Sequence, residues 1–201
     1  MSAVEETSSG ASAAQQADFL QVNDLRMYFP VTEGIIIQRK VAEVKAVDGI
    51  SFAMHKGETL GLVGESGCGK TTTGRCILQL EKITSGSIKY DGQDVTSFNK
   101  AQMSEYRQNV QVIFQDPFSS LNPRMKIGEI LAEPMRVHGI IPDKQGRDKR
   151  VMELLNICGL STRFADRYPH EMSGGQRQRV GIARALSVDP QFIVCDEAVS
   201  A

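Results

Sequence analysis

The residues best suited to chemistry begin with Gly64-x-x-x-x-Gly69-Lys70-Thr71, which follows an apolar run and precedes a stretch with helical spacing. Glycines permit backbone angles that turn successive N–H groups inward, and a helix N-terminus adds the positive end of its dipole. The pattern therefore predicts a cradle for phosphate oxygens, with Lys70 reaching the β- and γ-phosphates and the Thr71 hydroxyl binding Mg²⁺. The candidate phosphate-binding residues are Gly64, Glu65, Ser66, Gly67, Cys68, Gly69, Lys70, Thr71 and Thr72. A chance glycine-rich turn is the alternative.

Two carboxylates, Asp196 and Glu197, end the apolar segment "FIVC" far downstream of that loop. A carboxylate at the end of a strand beside a phosphate loop can hold the hydration shell of Mg²⁺, a role for Asp196. The next residue, Glu197, can orient or deprotonate an attacking water. Alone, two acids after a strand are more often a solvated strand end, but a phosphate loop in the same chain favours the catalytic interpretation.

The stretch "SGGQRQR" has both a structural and a functional interpretation. Ser173 and Gln176 fit the capping-box pattern that begins a helix. Two consecutive glycines weaken a helix, however, so Gly174 and Gly175 indicate that something approaches the backbone closely. A helix tip of this kind is a second anion site. One triphosphate does not need two such sites in one chain, so we expect two copies to meet head to tail around each nucleotide.

These residues need strands and helices to position them. Alternating residues in "FLQVNDLRMYFP" predict a partly exposed strand bounded by Pro30, and the nearly continuous apolar run 58–63 predicts a strand covered on both faces of a parallel sheet. A helix should follow the loop, with Cys76, Ile77 and Leu80 on one side. Asp91-Gly92 predicts a hairpin.

The second half of the chain shows another change in pattern. "NVQVIFQ" and "QFIVC" are typical of buried strands, and a helix should begin near Ser173 and end before Asp189-Pro190. Prolines and helix-like segments predict a small helical subdomain at about 116–170. The small, polar residues 1–17 indicate a disordered tail, which leaves 18–201 as one domain.

Composition excludes several classes of function. The net charge of −1, from 23 Lys+Arg against 24 Asp+Glu, provides no overall positive field for nucleic acid. The four cysteines lack the close spacing of a zinc site and are expected to be reduced thiols of a cytosolic protein. The chain has neither a secretory signal pattern nor an apolar run long enough to cross a bilayer.

The motifs together resemble the nucleotide-binding subunits of ATP-binding-cassette transporters, from about Phe19 onward. "GESGCGKTT" is similar to the family's Walker A loop, "IFQDP" to its Q-loop, "MSGGQ" to its signature motif and "FIVCDE" to its Walker B strand. "AVDGISF" and "VIFQDPFSSLNPRMKIGEILAEP" are similar to the ATPases of oligopeptide and dipeptide importers. The fold implied is α/β, a P-loop NTPase (RecA-like) core with an antiparallel β subdomain and an inserted α-helical subdomain, incomplete at the C-terminus.

The resemblance also implies roles for residues. Glu197, Lys70 and Gln115 would be catalytic, with Gln115 sensing the γ-phosphate and Mg²⁺, and the metal site would comprise Thr71, Gln115 and Asp196. An aromatic residue of the first strand would stack on adenine, and both Tyr28 and Phe29 are candidates. The partner's Ser173, Gly174, Gly175 and Gln176 would contact the nucleotide.

The implied cofactors are ATP and Mg²⁺. The implied partners are a second ATP-binding subunit, identical or not, transmembrane permease subunits and, indirectly, an extracytoplasmic solute-binding protein. The subunit would lie at the cytoplasmic face of the cell membrane.

There are departures from the family pattern: Met172 replaces a usual leucine, and Ala198 a usual proline. The D-loop aspartate, further parallel strands and the switch histidine would come after residue 201, so the resemblance predicts a fragment of a longer subunit with poor hydrolysis of ATP.

Two alternatives remain open. One is a soluble cassette ATPase of translation or DNA repair; the segment between Thr71 and Ser173 lacks the coiled coil or zinc modules of the repair type. The other is a module that binds nucleotide without turnover.

Overall fold

The computed structural model describes residues 18–33, 39–116 and 120–196. The expected tail at 1–17 and the candidate base Glu197 lie outside these ranges. The strands described are β1 (Leu20–Glu33), β2 (Arg39–Met54), β3 (Ser85–Tyr90), β4 (Gln93–Asp94), β5 (Val110–Ile113) and β6 (Phe192–Cys195). The α-helices described are α1 (Lys70–Ile77), α2 (Lys100–Asn109), α3 (Ile127–Val137), α4 (Lys144–Ile157) and α5 (Gly174–Leu186). Short 3₁₀ helices occupy Val95–Ser97, Thr162–Asp166 and Pro169–Glu171.

The first four strands form an antiparallel sheet in the order β2-β1-β3-β4. One face of this sheet is apolar and buried, and it packs against α1 and α2 in a core that includes Leu25, Met27, Val47, Cys76 and Tyr106. The predicted hairpin at Asp91-Gly92 is confirmed: both residues have positive φ, 47° and 76°, and join β3 to β4. Positive φ at both central residues gives the turn the twist that a tight hairpin needs.

The first strand extends beyond its predicted boundary. We expected it to end at Pro30, but β1 continues through Pro30 to Glu33, paired with β2. Its pairing with β3 stops at Arg26, so Pro30 lies where β1 has become an edge strand. A residue without an N–H is tolerated at such an edge.

The predicted strand at 58–63 is wrong for this structure. Residues 55–69 form neither helix nor strand, and Val63 is 96% exposed. A strand needs a neighbour to pair its backbone. The parallel sheet described has only the order β5-β6, and a cleft of about 640 Å³ lies between residues 57–62 and β6. The segment therefore remains unpaired on the wall of this cleft.

The helix after the loop is also shorter than predicted. Cys76 and Ile77 are buried as expected, but α1 ends at Ile77 and Leu80 is 55% exposed. Leu80 donates its backbone N–H to Arg75 at 2.9 Å, in a turn that leads away from the core.

A second core lies in the other half of the molecule. It joins α3, α4 and α5 through buried residues, among them Ile127, Leu131, Leu154, Leu155 and Val180. In the part of the chain that the structure describes, no helix is long and apolar enough to span a membrane. Since α5 packs on α3 and α4 and also leads into β6, it connects this second core to the parallel sheet.

Candidate functional site

The loop before α1 has the backbone geometry that the glycine spacing predicts. Gly67 and Gly69 have φ of 81° and 96°, and Gly69 is the N-cap of α1 with no side-chain cap among the described residues. A Cβ at Gly69 would collide with the carbonyl oxygen of Ala46 and lie 3.4 Å from Val47 Cγ2. Position 69 therefore requires glycine for two reasons, its φ and the closeness of β2.

Lys70 lies over the carbonyl groups of its own loop. Its Nζ donates to the oxygens of Gly64 at 2.8 Å and Glu65 at 2.7 Å, and it is 3.7 Å from the sulfur of Cys68. The residues from Gly64 to Cys68 are exposed. A phosphate at this loop would meet an ammonium group and the uncapped start of a helix, both of which favour anions.

The loop meets the end of β6 through one side-chain contact. Thr71 Oγ1 donates to Asp196 Oδ1 at 3.0 Å, although the two residues are 125 positions apart. Hydroxyl and carboxylate oxygens are ligands that Mg²⁺ prefers, so these two residues fit that ion. Burial raises the pKa of the neighbouring Cys195 thiol, which favours its neutral form.

Gln115 follows the strand next to β6. The parallel ladder pairs Ile113 with Cys195, and the N–H of Asp196 donates to the oxygen of Ile113 at 3.0 Å. Because β5 and β6 are parallel, Gln115 and Asp196 follow the same carboxyl edge of the sheet. Gln115 is exposed there, two residues beyond the end of β5.

The tip of α5 has the predicted capping box. Gln176 N–H donates to Ser173 Oγ at 3.3 Å, and Ser173 N–H donates to Gln176 Oε1 at 2.9 Å. A Cβ at Gly174 or Gly175 would meet nothing within 4 Å in the described part of the chain. The lining of the cleft includes Lys70, Thr71 and Asp196, but nothing from the described stretch 173–176. A single chain thus does not bring the two candidate anion sites to one cleft.

The two aromatic candidates lie on opposite faces of β1, because successive strand residues alternate. Phe29 is on the same face as Met27, which pairs with Val47, and the Val47 side chain lies close to Gly69. Tyr28 faces the other way, and its hydroxyl donates to Asp48. Phe29 is 37% exposed, so its ring is accessible on the face nearer the loop.

Three residues near the site were not among the site residues predicted from the sequence. Ala46 and Val47 lie against Gly69, yet nothing in their residue types marks a contact with a loop so far along the chain. Arg184 of α5 donates to the carbonyl oxygen of Ser120, which lies shortly after Gln115. Burial lowers the pKa of Arg184, with Glu133 acting in the opposite direction. Its sequence signal, one arginine in a helix, is too common to be informative.

The chain is similar in sequence to a known family and to several known proteins. Residues 47–200 match the family model described as ABC transporter. The oligopeptide transport ATP-binding protein AppF of Bacillus subtilis is 51% identical over 191 residues, which are 94% of this chain and 57% of that protein. The dipeptide transport ATP-binding protein DppF of Escherichia coli is 44% identical over 94% of this chain and 56% of its own length. The chain thus spans little more than half the length of these relatives.

The fold is also similar to that of a solved ATP-binding cassette. A dimeric post-hydrolysis state of the ATP-binding cassette MJ0796, bound to ADP and Pi, superposes with a TM-score of 0.79 and 27% identity. The match covers 90% of this chain and 75% of that one.

Proposed function

The chain belongs to the ABC transporter family, and on that premise we propose that it binds MgATP and hydrolyses it as the ATPase subunit of an importer of oligopeptides or dipeptides. The observation that carries this proposal is the contact between Thr71 Oγ1 and Asp196 Oδ1 at 3.0 Å. It joins the phosphate loop to the end of β6, where the metal and the attacking water of a phosphoryl transfer are needed.

Each part of the loop has a separate task in this proposal. The backbone N–H groups from Gly64 to Thr72 and the start of α1 bind the phosphates, while Lys70 leaves the loop carbonyls and binds the β- and γ-phosphate oxygens. Mg²⁺, held through Thr71, Asp196 and Gln115, would neutralise charge on the phosphates. Catalysis then depends on position and charge rather than on a covalent intermediate.

Water attacks the γ-phosphate in line with the bond to the β-phosphate oxygen. In this proposal Glu197, which follows Asp196 directly in the sequence, orients this water and accepts its proton. Gln115 at the same edge senses the γ-phosphate.

We propose that adenine stacks on Phe29 rather than on Tyr28. Phe29 lies on the same face of the sheet as Met27 and Val47, and Val47 approaches the phosphate loop. The Phe29 ring is also exposed. Flat stacking on an exposed aromatic ring binds a base without a hydrogen-bond pattern.

A second copy or a sister subunit supplies Ser173, Gly174, Gly175 and Gln176 to the nucleotide. Two facts support this head-to-tail arrangement: the α5 tip does not line the cleft of its own chain, and the similar cassette MJ0796 is dimeric. The names of the relatives, oligopeptide and dipeptide transport ATP-binding proteins, support peptides as cargo. Permease subunits as partners, a solute-binding protein outside the cell and a place at the cytoplasmic face of the membrane complete the proposal.

Because poor hydrolysis is expected of residues 1–201 alone, the test is made in the full-length subunit. It uses Lys70→Ala with Lys82→Ala as the matched control, because Lys82 is an exposed lysine beyond α1. We expect Lys70→Ala to weaken MgATP binding and to lower turnover by about a hundredfold or more, and Lys82→Ala to change neither. Glu197→Gln should retain binding and lose turnover. Unchanged turnover in Glu197→Gln would show that Glu197 is not the base.

Two further measurements address the biological context. Co-purification with permease subunits in detergent supports the importer, whereas co-sedimentation with ribosomes contradicts it. Binding of MgATP without turnover, in the protein assembled with its permease, would support the nucleotide-binding module instead.

A further inference from the structure

The outer face of the antiparallel sheet, opposite the phosphate loop, carries three residues in mutual contact: Tyr28, Lys45 and Asp48. We propose that this outer-face cluster fixes a bulge in β2 and so holds Phe29 at the correct offset from Gly69 for the nucleotide base. The inference rests on the proposed function, in which Phe29 stacks on adenine. It assigns a positioning role to residues that do not touch the nucleotide.

The bulge is defined by the register of β1 and β2. Met27 pairs with Val47 and the next residue, Tyr28, pairs with Lys45, so Ala46 is one extra residue on β2. The carbonyl oxygen of Ala46 is the group that a Cβ at Gly69 would strike. A bulge beside a functional site re-aims the strand locally. Here it places the backbone of β2 directly against the phosphate loop.

The outer-face cluster connects the two sides of this bulge. Lys45 precedes Ala46, and its Nζ lies 3.2 Å from Asp48 Oδ2 and 5.3 Å from the centre of the Tyr28 ring. Asp48 follows the bulge and accepts from the Tyr28 hydroxyl through its other oxygen. The hydrogen bond from Tyr28, followed by that from Lys45, lowers the pKa of Asp48, so the carboxylate stays charged at neutral pH. One carboxylate thus binds a residue on each strand.

Tyr28 is also held from the other edge of β1. Its backbone N–H donates to Thr84 Oγ1 at 2.9 Å, and the N–H of Thr84 donates to the oxygen of Arg26 at 2.8 Å. Beyond this point β1 pairs only with β2 in the part of the chain described. Tyr28 is therefore the last residue of β1 fixed on both sides, and Phe29 is the first residue beyond it.

An exposed cluster of this kind contributes little to the stability of the whole fold. Its removal should instead loosen the register at one point, and this should weaken base binding while the phosphate loop remains intact. A matched control exists on the same face. Asp24 and Arg26 form an exposed ion pair at 3.1 Å that does not include a residue of the bulge.

The experiment compares the dissociation constants of ATP and of inorganic tripolyphosphate, both with Mg²⁺, for Tyr28→Phe and Asp48→Ala. We expect each variant to weaken ATP binding about fivefold, as loss of an aromatic stacking contact would, and to leave tripolyphosphate binding unchanged. The double variant should be no weaker than Asp48→Ala alone, because both changes break the same contact. Asp48→Asn keeps an oxygen acceptor for Tyr28 and should recover part of the affinity. Asp24→Asn should bind both ligands normally.

Normal ATP binding in Tyr28→Phe and Asp48→Ala, or equal weakening of both ligands, would overturn the role of the outer-face cluster. Phe29→Ala separates this result from a failure of the proposed function. If Phe29→Ala weakens ATP selectively and the cluster variants do not, only the cluster is wrong. If Phe29→Ala has no selective effect, the assignment of adenine to Phe29 is wrong and the cluster has nothing to position.

Discussion

The two candidate anion sites are both glycine-containing helix starts, yet they are built differently. At α1 the N-cap is Gly69 in the left-handed region, without a side-chain cap in the described structure, and its glycine is required by its φ and by contact with Ala46. At α5 the N-cap is Ser173 with extended backbone, and a complete capping box pairs the N–H groups of Ser173 and Gln176. Gly174 and Gly175 do not have positive φ, and a Cβ added at either would meet no other part of the described chain within 4 Å.

The difference shows which glycines the fold needs and which it does not. The glycines of the first site give the loop its shape within one chain. The glycines of the second site leave open space beside a helix that would be more stable with alanine, so the fold of this chain does not account for them. This agrees with the proposal that a second subunit brings its α5 tip to the nucleotide.

Gly69→Ala should have the largest effect. The new Cβ meets the Ala46 carbonyl at a φ of 96°, so the free energy of unfolding should fall by about 2 kcal/mol or more and MgATP binding should be lost. Urea denaturation and calorimetric titration measure the two effects. Gly92→Ala is the control, because Gly92 also has positive φ but meets nothing within 4 Å in the described residues. If both variants lose equal stability, the contact with Ala46 has no role.

Gly175→Ala should separate stability from activity. The fold has room for the methyl group, so the free energy of unfolding should stay the same or rise by up to about 1 kcal/mol. Turnover should fall about tenfold, because the methyl group obstructs the nucleotide of the partner, and MgATP affinity of the single chain should not change. Gly181→Ala, in the middle of α5, is the control and should keep full turnover. Full turnover in Gly175→Ala would contradict the approach of a partner.

Ser173→Ala removes the cap of α5. We expect a loss of about 1 kcal/mol in the free energy of unfolding, the usual contribution of an N-cap side chain. Turnover should fall as well, and Ser173→Thr, which restores the hydroxyl, should recover most of the stability. Thermal denaturation and a phosphate-release assay give both values. A variant that loses stability but keeps normal turnover would mean that Ser173 only caps its helix.

The smallest effect concerns the titration of Tyr28. Its hydrogen bond to Asp48, followed by desolvation, raises its pKa above the ordinary value of 10.0, because the neutral phenol is the donor. In Asp48→Ala the pKa should move back towards that value, and carbon NMR of labelled tyrosine rings can follow it. Tyr90 is an internal reference, since burial raises its pKa to about 12 without Asp48. An unchanged Tyr28 pKa would contradict the hydrogen bond.

Local signals in the sequence predicted local structure well. The spacing of Ser173 and Gln176 predicted the capping box, and Asp91-Gly92 predicted the hairpin, because each depends on a few adjacent residues. The assignment of Thr71 and Asp196 to one metal site implied that the two motifs lie side by side, and their side chains are in contact. The metal site itself remains a prediction. The roles assigned to Glu197 and to the partner's Ser173 remain predictions.

Features that depend on contacts between segments far apart in the sequence could not be predicted. The apolar run at 58–63 has the composition of a buried strand, but pairing requires a second strand, and none lies beside it in the described structure. The boundary at Pro30 was wrong because β1 had become an edge strand. The bulge at Ala46 depends on pairing between β1 and β2 and on the loop that it touches, none of which a linear pattern contains.

The extra residue in β2 also bears on how the chain tolerates a change in length. Removing Ala46 alone would leave Met27 opposite Val47 and Tyr28 opposite Lys45, so the ladder itself could close without a fault. The deletion would remove the carbonyl group that lies against Gly69 and shorten the backbone there by the length of one strand residue. A single-codon deletion at this position would thus change how the hairpin seats against the helix start, while every side chain retained its inward or outward direction.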